Sequence, residues 1–418
     1  MKAKFRVGFF LLLISLHTIA QQRCGTAQYF KQAIQHNPAL INKQQHVESY
    51  LRARTIHATT SSPNARPLNT TIIIPVVVHV IYHVADEDIP DEAIYRQIAA
   101  MNRDYRHANA DSINTPACFK GLAADCNIEF QLAKVDPQGR STNGIERIYS
   151  PVPKWNGDDK MKYKSEYGAN GWDADSYLNI WVCNMYDLLG YASIMGDEKQ
   201  KDGVVINYYV FNDIEDGGAY NSGRTAVHET GHWLGLKHLW GDADCGDDGI
   251  DDTPKQETYT SGCPGVPHTS CGNGPNGDMY MNFMDYTDDP CMNLFTQGQR
   301  DRMQALFDDG GFRQTILSSK ALGEPWAQSI PLPDSIVAAL QVRLFPNPGS
   351  SAITIDCRND DSWIGKEMIV TNVTGNVVMR HVIKSIADEL DITRLADGIY
   401  FIRANDPGKK FALKFVKQ

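Results

Sequence analysis

Ala226-Val227-His228-Glu229-Thr230-Gly231-His232-Trp233-Leu234-Gly235-Leu236-Lys237-His238-Leu239-Trp240 is the stretch on which the reading of this chain turns. Residues four apart share one face of a helix, so His228 and His232 can grip a single divalent ion. Glu229 falls one step round the helix, beside that ion and placed to act as a base. Gly235 can adopt a backbone conformation that side chains resist, which lets the helix end and the chain bend. The bend would return His238 as a third nitrogen ligand. Three protein ligands leave a fourth position for water, the arrangement of a catalytic rather than a structural zinc. The plain alternative is a helix with solvated histidines; the glycine and third histidine at fixed offsets argue against it.

The pattern H-E-x-x-H-x-x-G-x-x-H is the extended zinc signature of the metzincin peptidases. It implies an α/β zinc-peptidase domain, a twisted mixed sheet with an active-site helix. Tyr280-Met281-Asn282-Phe283-Met284-Asp285-Tyr286 lies downstream, where a metzincin places its methionine-bearing turn under the metal. Met284 is the natural candidate, with Met281 left open.

A length of 418 residues predicts two to three folded units. Apolar content of 42% and charge of 22% are ordinary for a globular protein. The net charge of −10 argues against nucleic acid or an anionic membrane surface as partners. Lys2, Lys4 and Arg6 precede an apolar run from Val7 to Leu16, with small residues before Ala20. This is the pattern of a cleaved secretory signal over 1–20, too short to span a membrane. Export in turn permits disulfides.

Residues 21–66 are rich in Gln, His, Ala, Ser and Arg and read as a propeptide. Within it, Arg23-Cys24-Gly25-Thr26 offers a thiolate, a strong zinc ligand that would fill the open metal position until the segment is cut away. Ser61 to Pro67 has the composition of an exposed processing linker. A catalytic domain is expected over 67–320. Ile72 to Tyr82 is a continuous β-branched run, a strand buried on both sides, in which Pro75 suggests an edge or a bulge. Asp91 to Arg106 has helical periodicity; Asn127 to Val135 and Tyr177 to Cys183 read as strands. Gly203, Val204 and Val205 open a further strand, expected to be the edge that pairs with an extended substrate. Cys118 and Cys126 either bridge a small loop or stay reduced.

The aspartate-rich loop from Asp242 to Asp252 is either a solvated acidic loop or a calcium site. Asp248, Ile250, Asp251, Asp252 and Thr253 pack oxygen ligands around a turn, which suits Ca²⁺. Cys245, Cys263, Cys271 and Cys291 fall in the same Gly- and Pro-rich region and suggest two disulfides. Gln297 to Ser319 closes the unit with a helix, and 321–340 is a linker. From 341 to 418 short strands and turns read as an all-β sandwich.

The zinc stretch together with Asn282-Phe283-Met284-Asp285-Tyr286 resembles the pappalysin family, in particular its prokaryotic members, over roughly Ile72 to Asp309. The resemblance implies zinc on His228, His232 and His238, Glu229 as general base, and Met284 beneath the metal. It implies that Tyr286 stabilises the reaction intermediate. Asp289 would form the floor of the S1′ pocket, so that cleavage falls before Arg or Lys; its neighbour Asp288 is the competing assignment. Calcium near Asp248, Ile250 and Thr253, disulfides Cys245–Cys271 and Cys263–Cys291, and a zymogen switch at Cys24 are implied in the same way. Phe283 stands where tyrosine is common.

Leu344-Phe345-Pro346-Asn347-Pro348, Asp397-Gly398-Ile399-Tyr400-Phe401-Ile402 and the closing Lys414-Phe415-Val416-Lys417-Gln418 resemble the sorting domains of the type IX secretion system. That implies passage through the outer membrane, with the secretion machinery as partner and a secreted or cell-surface protein as product. Protein or peptide substrates follow from the peptidase resemblance. The rival readings are an adhesin or binding module on an inactive metzincin scaffold, and a zinc hydrolase acting on bonds other than peptides.

Overall fold

The computed structural model describes residues 22–57, 70–214, 218–326, 342–357, 361–405 and 412–418. The expected signal over 1–20, the processing stretch from Ser61 to Pro67 and most of the 321–340 linker lie outside the described residues. The described residues begin with β1 (Gln22–Cys24), α1 (Thr26–His36) and α2 (Leu40–His57). There follow β2 (Ile72–Tyr82), α3 (Asp91–Tyr105), β3 (Ile128–Leu132) and β4 (Ile145–Tyr149). Next come β5 (Leu178–Cys183), β6 (Leu188–Ala192), β7 (Val204–Asn207), α4 (Arg224–Trp233) and α5 (Gln297–Ala305).

These strands make one mixed sheet in the order β1-β6-β7-β5-β2-β3, with β4 also on β2. β2 is its spine. Nearly all of its residues are buried, as a strand covered on both faces requires. One face packs on α3 and α4 around Val78, Ile180, Ala226 and Trp233; the other gathers Trp155, Trp181, Tyr191 and Tyr29. Among the described residues no helix is long and apolar enough to cross a membrane.

Pro75 lies in this central strand and not at an edge. Ile72 and Val78 donate toward β3 and β4, so the odd-numbered residues face β5, whose pairing with β2 begins only at Val76. The missing N–H of Pro75 therefore points past the end of β5, where no ladder bond is lost. The expected substrate edge also needs correction. Val204 and Val205 pair with β5 on one side and β6 on the other, so Gly203, Val204 and Val205 begin an interior strand. Beyond β7 comes β6, a short element the sequence patterning did not reveal, and β1 of the N-terminal segment pairs with it in parallel to form that edge of the sheet. The closing helix is shorter than expected, with α5 ending at Ala305 before Gly310-Gly311 and a 3₁₀ turn from Gln314. Cys118 and Cys126 are not bridged, one being exposed and the other sealed in the core.

The tail folds around its own core of Ile353, Ile355, Trp363, Val370, Ile402 and Phe415. Its strands are β8 (Arg343–Phe345), β9 (Ala352–Asp356), β10 (Glu367–Asn372), β11 (Val377–Val382), β12 (Ala387–Asp391), β13 (Gly398–Ala404) and β14 (Ala412–Lys417). They form a four-stranded sheet, β11-β10-β13-β14, and a three-stranded sheet, β12-β9-β8, both antiparallel.

Candidate metal centre

Helix α4 is buried along almost its whole length, which is what lets it carry histidines in a dry interior. It ends where Gly235 takes φ +83°, a left-handed conformation costly for any residue with a Cβ. The chain turns there and brings His238 back. The Nε2 atoms then lie 3.1 Å (His228–His232), 3.0 Å (His232–His238) and 3.2 Å (His228–His238) apart. Each Nδ1 is anchored: His228 to the Phe283 carbonyl at 2.7 Å, His232 to the Leu236 carbonyl at 3.0 Å, His238 to Asp242 Oδ1 at 2.6 Å. Trp240 stacks flat on the His238 ring, centroids 4.4 Å apart. Asp242 and Trp240 were not singled out from sequence, although both lie within four residues of His238.

With each Nδ1–H given to an oxygen, three Nε2 lone pairs face one another at about contact distance. Protonation does not relieve this. Burial, with the neighbouring rings, lowers the pKa of His228 well below its usual range and that of His232 to about 3. A divalent cation is the group this donor set fits. Cys24 brings a fourth potential donor atom: its Sγ and the three imidazole nitrogens all lie within 4.8 Å of one another.

Around this point Cys24 Sγ is 3.4 Å from Glu229 Oε2, and Thr26 Oγ1 donates to the same oxygen at 2.9 Å. Glu229 Oε1 is buried without a partner, and burial holds the carboxyl up to about 8. The Tyr286 hydroxyl donates to the Cys24 carbonyl at 3.3 Å. Met284 is the methionine beneath the helix: a Cβ built on Gly231 would sit 2.5 Å from its Sδ. Met281 is buried in the surrounding core.

Asp289 is fully buried, whereas Asp288 is partly exposed. Asp289 accepts from the Ser222 and Arg224 backbone N–H groups at 3.0 and 3.2 Å and from Arg23 Nη2 at 2.7 Å. The Arg23 guanidinium also donates to the Thr287 carbonyl and lies over the Tyr220 ring. Nothing in the sequence pattern gave Arg23 a role; its only signal was adjacency to Cys24. In the acidic loop, Asp248 Oδ1 accepts from the Ile250 N–H at 3.0 Å and from Thr253 Oγ1 at 2.7 Å. Asp252 goes elsewhere, accepting from Thr296 Oγ1 and the Gly298 N–H at the start of α5, and Asp251 is exposed. The loop carries disulfides Cys245–Cys271 and Cys263–Cys291.

Residues 162–308 match the peptidase family described by pregnancy-associated plasma protein-A, and residues 343–418 match a secretion system C-terminal sorting domain. An extracellular metalloprotease of Arthroderma gypseum is 33% identical over 57% of this chain and 74% of its own length. This chain belongs to the pappalysin family of metalloproteases. Two solved structures from Tannerella forsythia agree with that membership. Mature mirolysin with a cleaved peptide is 47% identical over 60% of this chain and 96% of its own, with a TM-score of 0.58. A promirolysin mutant is 42% identical over 71% and 97%, with a TM-score of 0.65. The protease is a secreted metalloendopeptidase, and its tail directs type IX export.

Proposed function

We propose that this protease is made as a latent zinc endopeptidase that cleaves before Arg or Lys, silenced by Arg23 and Cys24. One observation carries the reading. Two adjacent residues of β1 fill, together, the metal centre and the acidic pocket beside it: Cys24 among the three imidazoles and Arg23 on Asp289. His228, His232 and His238 would hold zinc, which when bound lowers the pKa of water and polarises a carbonyl. Glu229 takes a proton from the attacking water and passes it to the leaving amine. The Tyr286 hydroxyl, aimed at the carbonyl oxygen of Cys24, is placed to stabilise charge developing on a scissile carbonyl there. Asp289 pairs with the basic side chain that follows the cut. Residues 21–66 are the removable prosegment, 67–320 the catalytic unit and 341–418 the sorting domain.

In the full chain, Cys24→Ala is expected to shorten the lag before peptide hydrolysis by at least about tenfold, the factor that ~1.4 kcal/mol represents. Timed assays with N-terminal sequencing read this directly. A lag equal to that of the unaltered chain would remove Cys24 from the latency mechanism.

Calcium is proposed beside the centre, on Asp248 with Ile250 and Thr253. Asp248 Oδ2 is buried without a hydrogen-bond partner, and burial holds its carboxyl up to about 7. A bound cation would offset that cost. Calcium at a hundredfold excess over its Kd is expected to raise the Tm by roughly 5–10 °C. Asp248→Asn should lose the increment, and an equal rise in both proteins would count against the site.

A further inference from the structure

The prosegment crosses the cleft in one direction. Arg23 lies on Asp289, Cys24 is at the metal, and Thr26 receives the Ala192 N–H of β6 before α1 and α2 begin. If the residue after the scissile bond sits on Asp289, the residues before it lie on the α1–α2 side. That side holds a cavity of about 720 Å³ that reaches from Thr26 and His232, past Leu236 and Lys237, to Glu48 and Arg302.

We propose that Arg302 and Lys237 form a carboxylate subsite of the cleft, which in the mature enzyme takes an Asp or Glu side chain N-terminal to the scissile bond. The proposal rests on residues 22–57 being a prosegment that leaves. Its support is the carboxylate already there. Glu48 meets Arg302 through two bonds, Oε1 to Nη1 at 3.2 Å and Oε2 to Nη2 at 2.6 Å, and Lys237 Nζ lies 3.1 Å from Oε2. The Arg302 side chain is 3% exposed, and its Nε donates to the Gly235 carbonyl at 2.7 Å, so the guanidinium is fixed with its fork toward Glu48. Burial works to raise the Glu48 pKa, yet the Arg302 bonds and the charges of Arg302 and Lys237 bring it down to about 2.

Among the described residues Glu48 is the only ion-pair partner of either cation. Departure of α2 would leave both without a direct ion-pair partner at the floor of a cleft that Asp242 and Asp247 also line, and an arriving carboxylate would replace the one that left. Gln44 Nε2 donates to the Met195 carbonyl, just beyond β6, so a backbone acceptor is uncovered by the same event. Substrates would then combine an acidic residue before the cut with a basic one after it.

The test starts from the full chain after it has activated and the 22–57 segment has been separated. Peptides carry Arg after the scissile bond and Glu, Gln or Lys at each preceding position in turn, and kcat/KM is compared. At one of those positions Glu is expected to exceed Lys by about tenfold, and Lys237→Glu should reverse the preference. Arg302→Lys, which keeps a charge but not the fork, should reduce it. A Glu-to-Lys ratio within twofold at every position, or one unchanged in Lys237→Glu, overturns the subsite. A parallel series with Ala after the bond reports on Asp289 separately, since the Glu-to-Lys ratio is read at whichever bond is cut. Full activity with residues 22–57 still attached and seated would overturn both readings.

Discussion

Glu229→Ala is expected to lower kcat by about 10²- to 10⁴-fold, the range that a positioned general base contributes, while the metal content stays near one per chain. The two outcomes separate because Glu229 is not among the converging ligand atoms: the cluster is made by Cys24, His228, His232 and His238. Its carboxylate lies instead beside that cluster, with Oε2 near Cys24 Sγ and Thr26 Oγ1 and Oε1 without a protein partner. Removing it leaves the three Nδ1 anchors untouched. Metal analysis and turnover of a quenched peptide check both halves. Loss of metal along with activity would make Glu229 a structural residue, and undiminished turnover would exclude it as the base. The same variant should fail to mature by itself if maturation is autocatalytic, and the full chain should accumulate.

Asp289→Asn should cost about a hundredfold in kcat/KM for peptides with Arg after the cut, with far less change for neutral residues there. The amide keeps the shape but removes the charge from a pocket that is fully buried. Burial raises the Asp289 pKa while Arg23 and Arg224 oppose it, so the carboxylate depends on cationic company. The substitution also acts on the full chain, in its proposed latent form. It leaves the Arg23 guanidinium, 3% exposed, without its counter-ion; breaking a buried pair of this kind costs about 3–5 kcal/mol. Faster prosegment release should therefore accompany the altered cleavage pattern. Mass spectrometry of products from a denatured protein mixture would read the specificity. Cuts still clustered before Arg and Lys in Asp289→Asn would move the pocket elsewhere.

The metal helix was legible because its information is local. His228 and His232 are joined by one helical turn, and the left-handed backbone of Gly235 brings His238 round. β2 was equally legible, since an unbroken β-branched run has few other places to go. The two loop disulfides came through family resemblance and are present in the structure. The choice of Asp289 over Asp288 came the same way and stays a proposal, supported by the contact of Asp289 with Arg23.

Other features escaped because sequence patterns do not encode neighbours. β7 and an edge strand are written in the same apolar residues, and only the pairing of β7 with both β5 and β6 separates them. Asp252 reads as a metal ligand in a list of oxygens, yet it caps α5 because Thr296 and Gly298 fold against it. Arg23 meets a partner 266 residues away, and Glu48 meets one 254 residues away.

The sequence by itself determined that three imidazoles and a carboxylate would share one short helix and its turn, since helical period and glycine geometry act over a few residues. Only the tertiary structure decided what fills the space around them: which strand forms the rim, which aspartate receives a cation, and which side chains of the N-terminal segment lie in the cleft. Those outcomes depend on burial and on charges brought together from distant parts of the chain, and neither exists until the chain has closed on itself.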